Sequence, residues 1–345
     1  MSPLPEDVVW AILEFLDFES WKATALVNLA FNHGTAKHLF RSFTISVEQA
    51  DDWSHLDAGL AFISRPDRSW MVQELRLFVR KPLRMREEGL RSLRLLLDAL
   101  ECTVNLGSLT VLTPHHDEFG AALSSRPFAP RLWQFETDLG TDLGGFWTAH
   151  PTITDVLLRS HYFEPPPSPL PSLRRVSSMR PHHFPIMRGS PVSEIMDLSL
   201  NDRHTVMSII SDISQSTADI VRLSISIHSP EAYNHVISQL PHLRFLQISD
   251  FWRRHSTFDD APLALLDALC ELKELEILKW VVDRKDPSEY PDIQFAVECG
   301  QRCPSLREVS LHSTVTIGSN VFLSTLHAFY RTDEKEPWQV NSGEV

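Results

Sequence analysis

One apolar spacing recurs along this chain from about residue 70 onward: an apolar residue, two others, a second apolar residue, one other, and a third. It reads Val72-Leu75-Leu77, Leu106-Leu109-Val111, Ile153-Val156-Leu158 and Ile195-Leu198-Leu200. It continues as Ile220-Leu223-Ile225, Leu243-Leu246-Ile248, Leu275-Leu278-Trp280 and Leu306-Val309-Leu311, with shorter copies at Leu132-Phe135 and Leu173-Val176. The last two apolar positions flank a single residue, so a short strand turns both toward one face and the residue between them toward the other. The first lies just before the strand and helps fill the same interior. One such unit cannot bury its face alone, whereas stacked neighbours can. Pro130, Pro151, Pro171, Pro241 and Pro304 each stand two residues before a unit. There the missing N–H ends the preceding segment. Leu90 to Leu100 and Leu263 to Leu272 are amphipathic and predict helices between strands. Glu164-Pro165-Pro166-Pro167-Ser168-Pro169 predicts an extended connector instead. A helix is expected over Val321 to Tyr330, with Leu323, Leu326 and Phe329, closing the C-terminal end. Asp333 to Val345 reads as a polar, mobile tail.

The first 47 residues follow another pattern. Pro5 suits the first position of a helix, and Glu6 and Asp7 suit its first turn, where the dipole favours negative charge. Val8, Val9, Ile12, Leu13 and Leu16 share one face at helical spacing. A second helix is expected through Trp21 and Ala25 to Val27, and a third from Leu29 to Phe40. Phe43, Ile45 and Val47 then alternate with Thr44 and Ser46, which predicts a strand. Three helices this short have too little interior to bury all these apolar positions. The surplus faces either the following domain or a partner.

The series Leu4-Pro5-Glu6-Asp7-Val8-Val9, Ile12-Leu13, Leu16, Ala25-Leu26-Val27 and Leu39-Phe40-Arg41-Ser42-Phe43-Thr44-Ile45 is similar to the F-box. Asp7 stands at the family's acidic position, and Leu29 replaces its usual basic residue. The resemblance implies docking to a Skp-family adaptor and, through it, to a cullin ubiquitin ligase. Carried over position by position, Leu4, Pro5, Val8, Ile12, Leu13, Leu16, Leu26 and Val27 would face or support the adaptor. The competing reading is a helical cap on the repeats, with no role in ubiquitin transfer.

The repeating body resembles the leucine-rich repeats of F-box proteins, a combination common in fungi, with units near the 20–29 residue period of that class. The expected fold is therefore α/β: a horseshoe-like leucine-rich-repeat solenoid with short parallel strands on its concave face, preceded by a small three-helix F-box. The expected divisions are an F-box over 1–47, an irregular solenoid over 48–331 and a polar tail over 332–345. The asparagine that the repeat family places shortly after the third apolar position is missing. Arg80, Pro114, His161, Arg203, His228 and Phe251 stand there instead.

Composition narrows the function. Of 345 residues, 43% are hydrophobic and 22% charged, which is ordinary globular usage, and the formal net charge is −13. An acidic surface repels phosphate, so neither nucleic acid nor an anionic membrane is an expected partner. Cys102, Cys270, Cys299 and Cys303 are too scattered for a disulfide framework. The residues from Met1 to Trp10 include no basic residue and do not resemble a secretory signal, and no apolar run is long enough to span a bilayer. The expected location is intracellular, in cytoplasm or nucleus. No phosphate-binding loop, nucleophile elbow or zinc-helix motif occurs, so no catalytic residue, cofactor or metal is expected. His115-His116 and His182-His183 sit beside prolines and read as solvent-facing loop residues. Cys299 and Cys303, four apart on one helical face, read as ordinary packing.

If the strands line a binding face, the residues pointing away from the core form it. These include Arg76, Glu136, Asp155, Arg175, Asp197, Arg222, Gln247, Lys279 and Glu308. Arg175, Arg222 and Gln247, with Trp252, Arg253 and Arg254 just past one strand, are the candidate target contacts, because Trp and Arg dominate interface energetics. The competing reading is that Phe251 and Trp252 are buried, filling the gap left by the missing asparagine. The target itself is an unidentified protein.

Overall fold

The computed structural model describes residues 20, 23–24, 35–36, 38–47, 53–79, 87–113, 117–129, 131–141, 143–178, 180–200, 203–227, 230–250, 268–282, 293–317, 320–332 and 337–341. The chain divides into two compact units, Met1–Leu170 and Pro171–Val345.

The first unit stacks five parallel strands in chain order: β1 (Ser42–Val47), β2 (Glu74–Val79), β3 (Ser108–Leu112), β4 (Gln134–Thr137) and β5 (Asp155–Leu158). Register aligns Phe43, Leu75, Leu109, Phe135 and Val156 in one row. All are buried but Phe43, which is half-buried. Ile45, Leu77, Val111, Thr137 and Leu158 form the next buried row. The apolar residues just before the strands, Val72, Leu106, Leu132 and Ile153, are also buried, so all three positions of the recurring spacing fill one interior. Each buried aliphatic side chain contributes about 1.5–3 kcal/mol.

Helices α1 (Trp53–Ile63), α2 (Glu87–Cys102), α3 (Asp117–Ser124) and α4 (Gly144–Ala149) alternate with these strands. Trp53, Leu56, Leu60 and Ile63 of α1 are three or four residues apart and all buried, as one helical face requires. In α2 the buried face runs through Leu93, Leu96, Leu97 and Leu100, while Leu90 is exposed. Phe135, Phe146 and Trp147 pack ring to ring with centroids 4.3–5.6 Å apart.

A single backbone device repeats at the start of the strands. The carbonyl of Arg41 accepts the N–H groups of both Gln73 and Glu74. That of Gln73 accepts Gly107 and Ser108, that of Gly107 accepts Trp133 and Gln134, and that of Trp133 accepts Thr154 and Asp155. Without the asparagine ladder, turn amides find other acceptors. The N–H of Thr113 donates to Asp138 Oδ1 of the next repeat at 2.7 Å, and that of Leu139 to Thr137 Oγ1 at 3.0 Å. These bonds satisfy donors that burial would otherwise leave unpaired.

The second unit continues the same grammar. Its parallel strands are β6 (Arg175–Ser177), β7 (Glu194–Leu200), β8 (Arg222–Ile227), β9 (Phe245–Asp250), β10 (Ile277–Val282) and β11 (Glu308–Ile317). Then β12 (Asn320–Tyr330) and β13 (Gln339–Asn341) add on antiparallel. Val176, Ile195, Leu223, Leu246, Leu278, Val309 and Phe329 align as the buried row. Helices α5 (Arg203–Ile213), α6 (Pro230–Ile237) and α7 (Ile293–Arg302) lie between strands, and a 3₁₀ segment, Pro181–Met187, joins β6 to β7. The proline-rich stretch 164–169 contains no helix, as expected.

Three expectations are corrected here. Val321 to Tyr330 is not a helix but most of β12, paired with β11. Its β-branched and aromatic content favours a strand, and pairing covers the open edge of β11. Within the stretch read as a polar tail, Gln339–Asn341 forms β13. Just before it, the Trp338 ring lies against Gly300 and stacks with Arg331, whose guanidinium carbon is 4.9 Å from the ring centre. The β7 repeat is also out of step with the spacing read from sequence. Its pre-strand residue is Val192, its first inward strand residue Ile195, and Leu198 pairs with Ile225 across a register shift. The extra residue makes a bulge, and Asp197 within it has φ 60°. Among the described residues, no helix is long and apolar enough to cross a membrane.

Candidate functional site: the outward face of the strands

Alternation along each strand sends every second residue away from the core. In the first unit this produces two rows: Ser42, Glu74, Ser108, Gln134 and Asp155, then Thr44, Arg76, Thr110, Glu136 and Leu157. Neighbours within and across the rows satisfy one another. Arg76 Nε donates to Glu74 Oε1 at 2.6 Å, and Ser108 Oγ to Gln134 Oε1 at 3.1 Å. Glu136 accepts from Thr110 Oγ1 at 3.3 Å and from Arg159 Nε at 2.7 Å.

In the second unit the corresponding row runs Arg175, Glu194, Arg222, Phe245, Ile277 and Glu308. Glu194 lies 2.8 Å from Arg175 Nε and 3.8 Å from Arg222 Nε. Arg222 Nε is buried with no hydrogen-bond partner among the described residues. Its guanidinium covers the Phe245 ring at 4.6 Å, and Lys279 Nζ approaches the same ring at 5.6 Å. Asp197 accepts a hydrogen bond from Ser177 Oγ.

The sequence reading therefore places its outward residues on the outward side. Arg76, Arg175 and Asp197 are exposed, and Glu136, Asp155, Arg222, Gln247, Lys279 and Glu308 are half-buried there. Of the expected target contacts, Arg175, Arg222 and Gln247 share one face, while Trp252, Arg253 and Arg254 lie outside the described residues. All eight adaptor-facing positions, Leu4, Pro5, Val8, Ile12, Leu13, Leu16, Leu26 and Val27, likewise lie outside them.

No protein-family model and no curated protein matches the sequence. Its chemistry must be taken from the geometry.

Phe245 is the residue that sequence reading missed. It immediately precedes inward Leu246, so strict alternation alone would have turned it outward, beneath two cations. A half-buried aromatic held under Arg and Lys is an anchor of the kind interfaces use. Elsewhere on the face Arg76 is paired with Glu74, Arg159 with Glu136 and Arg175 with Glu194, and surface ion pairs of this sort contribute about 0–1 kcal/mol each. They are readily exchanged for pairs with a partner.

Other candidates have structural explanations. His183 is buried, not solvent-facing, with Nδ1 hydrogen-bonded to Ser178 Oγ, because the 3₁₀ segment folds it inward; His182 is exposed. His115 and His116 lie outside the described residues. Cys299 and Cys303 are buried, and Cys303 Sγ donates to the Leu272 carbonyl at 3.0 Å. Burial pushes both thiols up, away from the reactive thiolate. Among the described residues no three metal-ligating side chains come together.

Proposed function

We propose that this chain is a non-catalytic substrate-recognition subunit of a Skp–cullin–F-box ubiquitin ligase. Its first 47 residues dock the Skp-family adaptor, and its leucine-rich repeats hold a target protein. The observation that carries the reading is the ordered series from Leu4-Pro5 through Asp7, Ile12-Leu13, Leu16 and Leu26-Val27 to Phe43-Ile45. It sits directly ahead of a repeating α/β body. Three helices as short as those expected from the sequence would leave apolar surface over, and an adaptor is a partner that would cover it.

The repeat body supports the second half of the reading. Stacked parallel strands in register present rows of paired polar side chains around an aromatic anchor, a surface suited to a specific protein patch. On this account the chain performs no chemistry. It raises the local concentration of a target beside a ubiquitin-charged enzyme bound elsewhere in the assembly, and the gain is one of proximity.

The test is capture of the chain by a purified Skp-family adaptor. Replacing Leu4, Pro5 and Ile12 together by polar residues is expected to abolish capture while leaving the thermal transition of the repeats in place. Undiminished capture by the triple variant would refute adaptor docking through this segment, and absence of capture by the wild-type chain would favour a capped repeat scaffold. Addition of cullin then separates a ligase subunit from an adaptor-bound protein that recruits none.

A further inference from the structure

In the second unit, a cavity of about 600 Å³ opens at the N-terminal ends of β9, β10 and β11 and just beyond β12. That volume lies within the range of pockets that enclose a small ligand or a short run of peptide. Four charged residues leave adjacent backbone positions around it. Glu276 N donates to Arg244 O at 2.9 Å, Arg307 N to Glu276 O at 2.8 Å, and Arg331 N to Arg307 O at 3.0 Å. Their side chains therefore start one strand spacing apart, about 4.8 Å.

These side chains are differently occupied. Arg331 is turned onto the chain itself, with Nε donating to Leu306 O at 2.6 Å and Nη2 to Pro304 O at 2.7 Å. Glu274 accepts from His242 Nδ1 at 2.9 Å and lies 3.5 Å from Arg244 Nε, so its charge is largely answered. The side chains of Arg307 and Glu276 make no hydrogen bond or ion pair among the described residues, although they are neighbours on the ladder. Three guanidiniums thus meet two carboxylates around a concavity, on a chain whose formal net charge is −13. The formal charge of the lining is opposite in sign to that of the chain, and recessed walls concentrate such a field.

We propose that this cavity binds an acidic, extended peptide segment of a target protein. The Arg307 fork receives one carboxylate in a paired, two-bond contact, and Arg244, two strands away, receives a second. Roughly 9.6 Å separates their backbone origins, and carboxylates two or three residues apart in an extended chain fall within reach of both. Glu276, between them, accepts a peptide N–H. Glu274 and Glu276 also set the class of ligand, because a uniformly anionic phosphodiester would meet both carboxylates. The proposal rests on the reading of the repeats as the target-holding part and does not depend on adaptor docking.

The test uses the full chain and a fluorescein-labelled octapeptide alternating glutamate with serine, compared with the same peptide carrying glutamine. Fluorescence anisotropy is expected to show saturable binding of the acidic peptide and none of the glutamine form. Arg307→Glu is expected to weaken binding at least about tenfold, as loss of a charge-assisted contact does, and Arg307→Lys to weaken it less. Because Arg307 is exposed and its side chain makes no hydrogen bond or ion pair among the described residues, the thermal transition of the variant should not move, which keeps loss of binding distinct from loss of fold. Equal binding of both peptides, no binding of the acidic one, undiminished binding by Arg307→Glu, or equal competition by an oligothymidylate would each overturn the proposal. Adaptor capture is measured on the same preparation. Capture without peptide binding rejects the cavity alone, and peptide binding without capture rejects the ligase reading alone.

Discussion

His150 is a base enclosed by aromatic rings. It is buried between Phe128 and Phe146, each with its ring centre 4.7 Å away, and neither ring nitrogen has a hydrogen-bond partner among the described residues. Burial penalises the imidazolium and lowers the pKa from 6.5 to about 4. Above pH 6.5 the ring is neutral whether folded or unfolded, and stability is fully present. Between 6.5 and about 4 only the unfolded chain takes the proton, so stability falls as the pH falls, by about 3 kcal/mol in total. His150→Phe should remove that part of the pH dependence. The check is the urea midpoint from pH 7 to pH 4, in which the two proteins should diverge; parallel curves would rule the effect out. Asp212 poses the opposite problem, a buried carboxylate whose ion-pair partner is Arg188 Nε at 2.8 Å. Arg188→Ala strands that charge and is expected to cost roughly 1–3 kcal/mol, read as a lowered urea midpoint at pH 7, whereas Arg188→Ala with Asp212→Asn should recover most of it.

At the scale of elements, the β7 bulge is where a repeating chain departs from its own repeat. Asp197 holds φ 60° and its carboxylate accepts the Ser177 hydroxyl. Asp tolerates that region, and a β-branched residue does not. Asp197→Val is expected to destabilise by about 2 kcal/mol or more, and Asp197→Gly by less, since glycine keeps the backbone and loses only the bond. A denaturation series that ranked glycine below valine would contradict the bulge. This element also shows what the sequence conceals. Ile195, Leu198 and Leu200 match the apolar spacing, but the true unit begins at Val192, because one extra residue between Ile195 and Leu198 displaces the third inward position and lets the following residues imitate the repeat. β12 was hidden for another reason: Leu323, Leu326 and Phe329 suit a helical face, and the β-branched and aromatic content together with the open edge of β11 decides for a strand. Where neither complication arises, as in Leu75-Leu77 or Leu246-Ile248, the spacing alone places both residues inward.

At the scale of the whole molecule, the conspicuous chemistry of the described residues is pairing between side chains. The outward rows carry arginine, glutamate, serine and threonine in mutual contact, and the lining of the recessed cavity is opposite in formal charge to the chain. The repeated body was legible because its signal is redundant; most units state the same three positions, and a degenerate copy is corrected by its neighbours. The outward face was legible only in its direction. Which residues gather, such as Arg222 and Lys279 over Phe245, depends on strand register, which spacing along one chain does not contain. Adaptor docking is argued from the series that begins at Leu4-Pro5 and rests on the principle that so small a helical unit needs something to cover it. It is tested most directly by isothermal titration of a purified Skp-family adaptor into the full chain. The expected result is one-to-one binding with a dissociation constant on the order of micromolar or tighter, lost when Leu4, Pro5 and Ile12 are replaced together. Absence of heat with the wild-type chain, or the same isotherm with the triple variant, would contradict the account.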